Sequence, residues 1–302
     1  MNYAIETNNL SKQYGDVLAV NKVNLQIKHG EIFAFLGLNG AGKTTTIRML
    51  LGMISPSEGN VKVLGQVLKR GGRGPWSQVG HLVESPSAYP ELTVKENLDI
   101  SRRLYGIKNP RAVDDVMEKL SIASYSKRKA GTLSMGNLQR LGLARAMIHN
   151  PSLLILDEPA NGLDPAGVVE IRELLENLAK NGVTVFMSSH ILTEVDRLAT
   201  RIGIIHKGQI IEDLDADKLQ RFRAKRLEVK VRDFAKAHSL LTKANYSATI
   251  NEDSIFIEDK RALEAPDEIS RLLVNADVPP TYLAVEQQNL EEHFMQITGN
   301  NK

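Results

Sequence analysis

Runs of apolar residues bounded by turns recur along the first two thirds of the chain. Residues 31–36, 153–156 and 182–187 have the length and composition of strands that are buried on both faces. Upstream of the first run, apolar and polar positions alternate, with turns at 15–16 and 29–30, which is typical of half-buried antiparallel strands. The pattern therefore predicts a mixed sheet in which buried core strands are accompanied by an antiparallel β subdomain.

Other segments complete this domain. The pattern predicts further strands at 61–63, 79–83, 202–205 and 209–211 and helices at 138–148 and 165–180, with two or three short helices between 93 and 130. We interpret the segment of about 85–150 as a helical insertion into the sheet domain.

The composition changes at residues 215–226, where lysine and arginine accumulate and a charged connecting helix is expected. Beyond it the order of elements is β-α-β-β-α-β, the split βαβ arrangement, followed by a final helix. The strands are predicted at 227–231, 247–250, 254–257 and 282–285, and the helices at 234–244, 266–275 and 290–297. We therefore expect two domains, the first of residues 1–215 and a small α+β domain of residues 216–302.

A phosphate-binding loop stands between the first buried strand and the helix after it. The motif G-x-x-x-x-G-K-[ST] is matched by Gly37-Leu38-Asn39-Gly40-Ala41-Gly42-Lys43-Thr44, and Thr45 follows. Its glycines let main-chain N–H groups close around a polyphosphate at a helix N-terminus. Lys43 is expected to reach the terminal phosphates, and the Thr44 hydroxyl to bind Mg²⁺. An ordinary glycine-rich turn is the alternative, but a strand before and a helix after favour a nucleotide site.

Two later strands end in residues that suit phosphate chemistry. Asp157 and Glu158 follow the run 153–156, and a carboxylate at that place anchors Mg²⁺ in phosphate-loop proteins. His190 ends the run that begins at residue 182, so it belongs to the same ligand-binding edge of an open α/β sheet. Two adjacent acids can also form a solvated turn, but the buried strand before them favours the functional interpretation.

Composition excludes several classes of protein. The 38 basic and 36 acidic residues give a formal charge of +2, which does not favour a nucleic-acid-binding protein. Cysteine is absent, so a disulfide framework is excluded. The N-terminus lacks the pattern of a signal peptide, and no apolar run reaches the ~18 residues of a membrane span. We therefore expect a soluble protein that meets a membrane only through a partner.

The ordered set of motifs in the first ~215 residues resembles the ATP-binding subunit of an ABC transporter, a P-loop NTPase fold. Besides the phosphate loop, the acid pair and the histidine, four elements match in order. They are Tyr14 as the adenine-stacking aromatic, Glu84 at the Q-loop position, Leu133-Ser134-Met135-Gly136-Asn137 at the LSGGQ signature and Asn161-Gly162-Leu163-Asp164 at the D-loop. Tyr14 alone would be read as a residue packed on a hairpin.

This resemblance implies a mechanism. Two ATPase subunits, identical or related, would enclose two ATP molecules, with the signature residues Ser134, Gly136 and Asn137 acting across the interface. Glu158 would polarise the attacking water, and His190 would contact the γ-phosphate. Asp164 would couple the two sites. The resemblance also implies Mg²⁺ and an integral-membrane permease that holds the ATPase at the cytoplasmic face of the membrane.

The chain departs from the family pattern at two places. Met135 and Asn137 replace a glycine and the glutamine of the signature, and Glu84 replaces the usual glutamine. A carboxylate at residue 84 can still bind Mg²⁺ or hold water, but it changes the electrostatics and the coupling to the permease. Glu84-Ser85-Pro86, together with the altered signature and the C-terminal extension, resembles the bacitracin-export and lantibiotic-immunity branch of ABC-2 type exporters.

Three functions are compatible with these residues. The first is an ATP hydrolase that drives a separate exporter of a peptide antibiotic or a related amphiphile. The second is a soluble ABC protein acting on ribosomes or DNA, which usually has two ATPase domains or a long coiled-coil insertion, and the sequence shows neither. The third is a regulatory ATP binder that does not hydrolyse ATP, against which the presence of Glu158 and His190 argues.

Overall fold

The structure is a computed structural model that describes residues 3–69, 72–84, 86–223, 225–251, 253–287 and 290–299. Ser85, which forms part of the branch motif, lies outside the described residues. The chain divides into two compact units, Met1–Asp215 and Ala216–Lys302. None of the helices in the described ranges is long and apolar enough to cross a membrane.

The first unit contains two sheets with helices between their strands. Its strands are β1 (Tyr3–Tyr14), β2 (Val17–Lys28), β3 (Ile32–Leu36), β4 (Glu58–Val63), β5 (Gln66–Val67), β6 (Val79–Leu82), β7 (Leu153–Asp157), β8 (Thr184–Ser189), β9 (Arg201–His206) and β10 (Gln209–Leu214). Its helices are α1 (Lys43–Leu50), α2 (Val94–Leu104), α3 (Arg111–Lys119), α4 (Met135–Met147), α5 (Pro165–Lys180) and α6 (Leu192–Leu198).

The central sheet has the strand order β10-β9-β3-β8-β7-β6. Its neighbouring strands run parallel from β9 to β6, and β10 adds an antiparallel edge. Every residue of β3, β7 and β8 is buried, which is typical of parallel strands covered on both faces. The carboxyl ends of these three strands therefore meet at one edge of the sheet.

The second sheet is antiparallel, with the order β2-β1-β4-β5, and it supplies one side of the main core. Ile5 and Val23 from this sheet belong to the same buried cluster as Phe33 and Ile155 from the central sheet and Ile47 from α1. The phosphate loop, which joins β3 to α1, is thus anchored at both ends in this core.

The helical segment depends on local caps. Thr93 and Glu96 form a capping box at the start of α2, with the Thr93 N–H donating to the Glu96 carboxylate over 2.7 Å. Helix α4 begins at Met135, three residues before the predicted start. The reason is that Ser134 is its N-cap and accepts a hydrogen bond from the Asn137 N–H at 3.4 Å.

The second unit is an α+β structure with the predicted β-α-β-β-α-β order. Its strands are β11 (Lys225–Lys230), β12 (Ala248–Asn251), β13 (Ser254–Ile257) and β14 (Tyr282–Gln287), and its helices are α7 (Ala216–Arg223), α8 (Phe234–Lys243), α9 (Lys260–Glu264), α10 (Pro266–Asn275) and α11 (Leu290–Ile297). The strand order is β12-β13-β11-β14, with antiparallel neighbours. The short helix α9 was not predicted, because five residues are too few to show a helical period.

Phe186 tests the aromatic centre of the first unit. It is fully buried, stacks on Phe33 at 5.7 Å and lies 5.6 Å from Phe35 between ring centroids. We expect Phe186→Ala to lower the free energy of unfolding by about 3–5 kcal/mol, because it removes this packing and leaves a cavity. Urea denaturation followed by circular dichroism measures the change. Tyr89→Ala, at a side chain that is 55% exposed, is the control, and equal losses in the two variants would contradict the assignment of this core.

Candidate functional site

The phosphate loop approaches two neighbouring segments so closely that it requires glycine. A Cβ atom at Gly37 would lie 2.6 Å from the carbonyl oxygen of Ile205. Gly42 has a φ of +108°, and a Cβ atom there would lie 2.6 Å from the carbonyl oxygen of Ala19. Side chains at these two positions would therefore displace the loop from its place before α1.

Lys43 occupies the interior of the loop. Its side chain is only 6% exposed, and its Nζ donates to the carbonyl oxygens of Gly37 at 2.6 Å and Leu38 at 3.3 Å. The same Nζ lies 3.6 Å from Oε1 of Glu158. Leu38, Asn39 and Gly40 form the exposed crest of the loop. The loop thus combines a buried ammonium group with a helix N-terminus, and both favour a phosphate at this place.

Thr44 and Asp157 meet at the edge of the sheet. The Thr44 hydroxyl donates to Oδ2 of Asp157 at 2.8 Å. The Ser188 hydroxyl contacts Oδ1 of the same carboxylate and accepts the Glu158 N–H at 3.1 Å. Ser188 is paired with Asp157 in the parallel ladder between β7 and β8. Ser188 therefore orients both acids, and its role was not predicted from the sequence although it lies near the end of a buried strand, two residues before His190.

The Thr44 and Asp157 oxygens fit Mg²⁺. Magnesium prefers oxygen ligands, keeps several waters and is usually bound by one or two carboxylates together with substrate phosphates. In the described part of the chain, no three His, Cys, Asp or Glu residues form a metal-binding group. A hydroxyl and a single carboxylate beside a phosphate loop suit a metal that arrives with a polyphosphate, rather than one held by protein ligands alone.

Glu158 and His190 form the second pair of the site. Nδ1 of His190 contacts Oε2 of Glu158. Glu158 lies in a left-handed turn with a φ of +51°, an uncommon conformation for a residue with a side chain. Gln139 of α4 supports this turn, because its amide donates to the carbonyl oxygens of Glu158 and Pro159, both at 3.1 Å. Gln139 and Ser188 thus hold the main chain of Glu158, and His190 contacts its carboxylate.

A further acid lies close to this pair. Burial raises the pKa of Glu194; the charge of His190 opposes this shift, and the smaller effect of the Glu158 charge adds to it. Glu194 belongs to α6, which follows His190 directly. Glu194 could not be singled out from the sequence, since its nearness to Glu158 depends on the three-dimensional placement of α6.

The signature residues lie at the start of α4. Ser134 is exposed at the N-terminus of α4, and Asn137 donates its N–H to the Ser134 hydroxyl. A Cβ atom at Gly136 would lie 3.2 Å from the carbonyl oxygen of Gly162, so the signature packs against the D-loop of the same chain. Among the described residues, the hydrogen bonds of Lys43 and Thr44 do not involve the signature. Ser134 is thus open to a partner across an interface, and Gly136 and Asn137 are half-buried beside it.

The remaining predicted residues have local contacts or are described by their burial. Asp164 caps α5 by accepting the Gly167 N–H at 3.0 Å. Tyr14 ends β1 with an exposed ring, and the Lys12 Nζ lies 5.1 Å from its centroid. Ala41 is buried and Thr45 is half-buried.

In the described part of the chain, Glu84 forms no hydrogen bond with Thr44 or Asp157. It follows β6 with a φ of +59°, and its Oε1 contacts the guanidinium of Arg48 in α1. Its predicted role as a magnesium ligand therefore stays a prediction. Arg48 is a residue that the sequence analysis did not consider.

The chain is similar to known proteins. The ABC transporter family matches residues 20–161. The bacitracin transport ATP-binding protein BcrA of Bacillus licheniformis is 38% identical over 302 residues, covering 99% of this chain and 98% of that protein. The chain belongs to the ABC transporter family. It is an ATPase of this family, and the predicted membership and fold class are confirmed.

Other similar proteins match a smaller part of the chain. The lantibiotic transport ATP-binding protein SrtF of Streptococcus pyogenes is 37% identical over 213 residues, covering 70% of this chain and 91% of that protein. A solved dimeric bacterial ABC transporter cassette superposes with a TM-score of 0.64 at 25% identity, covering 70% of this chain and 98% of that chain. BcrA thus matches almost the whole chain, including the second unit, whereas SrtF and the solved cassette each cover 70% of it.

Thr44 tests the proposed metal position. We expect Thr44→Val to weaken the binding of Mg-ATP about tenfold or more, because it removes an oxygen ligand and the hydroxyl that orients Asp157. Binding of ATP in EDTA should change little. Titration with a fluorescent ATP analogue, with and without Mg²⁺, measures both affinities.

Thr46→Val is the matched control, since the Thr46 hydroxyl donates to the carbonyl oxygen of Gly42 and does not contact Asp157. We expect it to change the two affinities by the same factor. If Thr44→Val weakened ATP binding equally with and without Mg²⁺, the assigned metal position would be wrong.

Proposed function

We propose that this ABC ATPase drives a separate membrane permease that exports a peptide antibiotic or a related amphiphilic compound. The observation that carries the proposal is the similarity to BcrA over nearly the full length of both proteins, the second unit included. The similarity to SrtF supports the same class of cargo. With no membrane-spanning helix among the described residues, the proposed transport path belongs to the permease.

The proposed chemistry uses the contacts of the strand edge. Lys43 and the N-terminus of α1 bind the terminal phosphates of ATP, and the loop crest encloses them. Thr44 and Asp157 hold Mg²⁺, which when bound neutralises charge on the phosphates. Glu158 takes a proton from the attacking water, and its contact with His190 keeps the carboxylate in position. His190, which is partly exposed, donates to the γ-phosphate.

The proposed active form contains two ATPase subunits. Ser134, Gly136 and Asn137 of one subunit complete the nucleotide site of the other, either in a homodimer or with a related ATPase. The exposure of Ser134 at the start of α4 and the similarity to a dimeric cassette support this arrangement. Asp164 connects the two sites through the D-loop. The assembly is placed at the cytoplasmic face of the membrane through the permease, without direct membrane insertion and without nucleic acid.

Glu158→Gln tests the assigned base. The amide cannot accept the proton, so turnover should fall by about 100-fold or more while ATP still binds. Because ATP is then not consumed, the variant should form a dimer that persists in Mg-ATP. Phosphate release and size-exclusion chromatography measure the two effects.

Glu176→Gln is the control for this experiment. Glu176 lies on α5 in a loose ion pair with Arg172, at 3.9 Å. Its replacement by glutamine should leave turnover unchanged. Hydrolysis by Glu158→Gln at the wild-type rate would show that another group is the base.

Deletion of the gene in its host tests the cargo. We expect the deletion strain to become more sensitive to bacitracin or to a lantibiotic, because the exporter loses its energy source. Wild-type protein should restore resistance, and Glu158→Gln should not. Minimum inhibitory concentrations measure the effect. Unchanged sensitivity to every compound in both classes would contradict the proposed cargo without affecting the ATPase assignment.

A further inference from the structure

An ion pair joins the phosphate-loop helix to the loop that follows β6. The guanidinium Nη2 of Arg48 contacts Oε1 of Glu84. Both side chains are partly exposed, at 38% for Arg48 and 56% for Glu84. Exposed ion pairs contribute little to folding stability. The pair therefore matters less for folding than for the charge beside the nucleotide site.

Arg48 lies one helical turn after the residue that contacts Asp157. Residues four apart in a helix are neighbours, with Cβ atoms about 5–6 Å from each other. Arg48 is four residues after Thr44, whose hydroxyl is bonded to Asp157 at 2.8 Å. The Arg48–Glu84 pair is thus adjacent to the end of the site where phosphates and metal are proposed to bind.

Glu84 is held in place from its other side. Its main chain is in the left-handed region, with a φ of +59°. A Cβ atom at Gly142 in α4 would lie 2.7 Å from Cβ of Pro86 and 2.8 Å from Cδ1 of Leu82. The residues on both sides of Glu84 therefore pack tightly on α4. The loop after β6 therefore fixes the position of the Glu84 carboxylate, and α1 supplies Arg48, the cation that contacts it.

A carboxylate at this position has an electrostatic cost. Asp157 and Glu158 already place two acidic groups at the strand edge, and ATP adds several negative charges. An unpaired Glu84 would repel the phosphates, whereas a glutamine would not. Arg48 is the cation that contacts Glu84 in the described part of the chain, and it removes this repulsion at short range.

We propose that Arg48 is a positioning residue for Glu84, which it neutralises and holds against α1, so that a carboxylate can replace the glutamine of the family without weakening nucleotide binding. The proposal rests on the proposed nucleotide site. It predicts that the effect of losing Arg48 depends on whether residue 84 is charged.

A double-mutant cycle tests this dependence. Binding of a fluorescent ATP analogue is titrated in EDTA and in Mg²⁺ for the wild type, Arg48→Met, Glu84→Gln and the double variant, with Arg48→Lys as the conservative replacement. In EDTA and low salt, we expect Arg48→Met to weaken binding about three- to fivefold, since it leaves a free negative charge near the phosphates. The double variant should bind within twofold of the wild type, and Arg48→Lys should recover most of the loss. High salt should reduce the difference, because it screens exposed charges.

Lys62→Met is the matched control, because Lys62 forms a similarly exposed ion pair with Glu6 at 2.9 Å in the antiparallel sheet. Thermal melting of all variants reports folding. If Arg48→Met and the double variant are weakened equally, or if all variants bind within twofold of the wild type, Arg48 does not act through Glu84. A wild-type protein that failed to bind ATP would instead overturn the proposed function.

Discussion

The main-chain hydrogen bonds that align β3, β7 and β8 place Leu36 opposite Ser189 and Asp157 opposite Ser188. This register is fixed because every residue of the three strands is buried, so that a shift by one residue would exchange the two packed faces. The phosphate loop and His190 directly follow the ends of β3 and β8, and Asp157 is the last residue of β7. The main-chain hydrogen bonds of the parallel ladder therefore determine where the residues of the site lie, independently of the contacts between their side chains.

Opposite charges then balance one another at this edge. Lys43 is buried among carbonyl oxygens, and Glu158 is the carboxylate within 4 Å of its ammonium group. Asp157 is satisfied by two hydroxyl groups, from Thr44 and Ser188. A buried charge is tolerated only when such partners are present, so the same contacts that prepare the site for a phosphate also make it compatible with folding.

The motifs that could be predicted from the sequence are those defined by residues close together in the chain. A phosphate loop needs only its glycines, its lysine and the flanking strand and helix, and the β-α-β-β-α-β order of the second unit needs only element types. The contacts of Ser188, Gln139 and Arg48 could not be predicted in this way. Ser188 depends on which strands are neighbours, and Gln139 and Arg48 depend on how helices pack against turns distant in the sequence. Glu84 was noticed as an unusual residue, but its partner lies 36 positions earlier in the chain.

Helix α4 connects the parts of the site that the sequence presents separately. Its first turn carries the signature residues, Gln139 holds the turn of Glu158, and Gly142 receives the loop of Glu84. A Cβ atom at Gly80 would lie 2.0 Å from the carbonyl oxygen of Ala146, so the helix rests directly on β6. Interiors packed this closely transmit displacements instead of absorbing them. A force applied to the exposed end of α4 would therefore reach Glu158 and the Arg48–Glu84 pair together, and the proposed coupling between two nucleotide sites and a permease requires a mechanical connection of this kind.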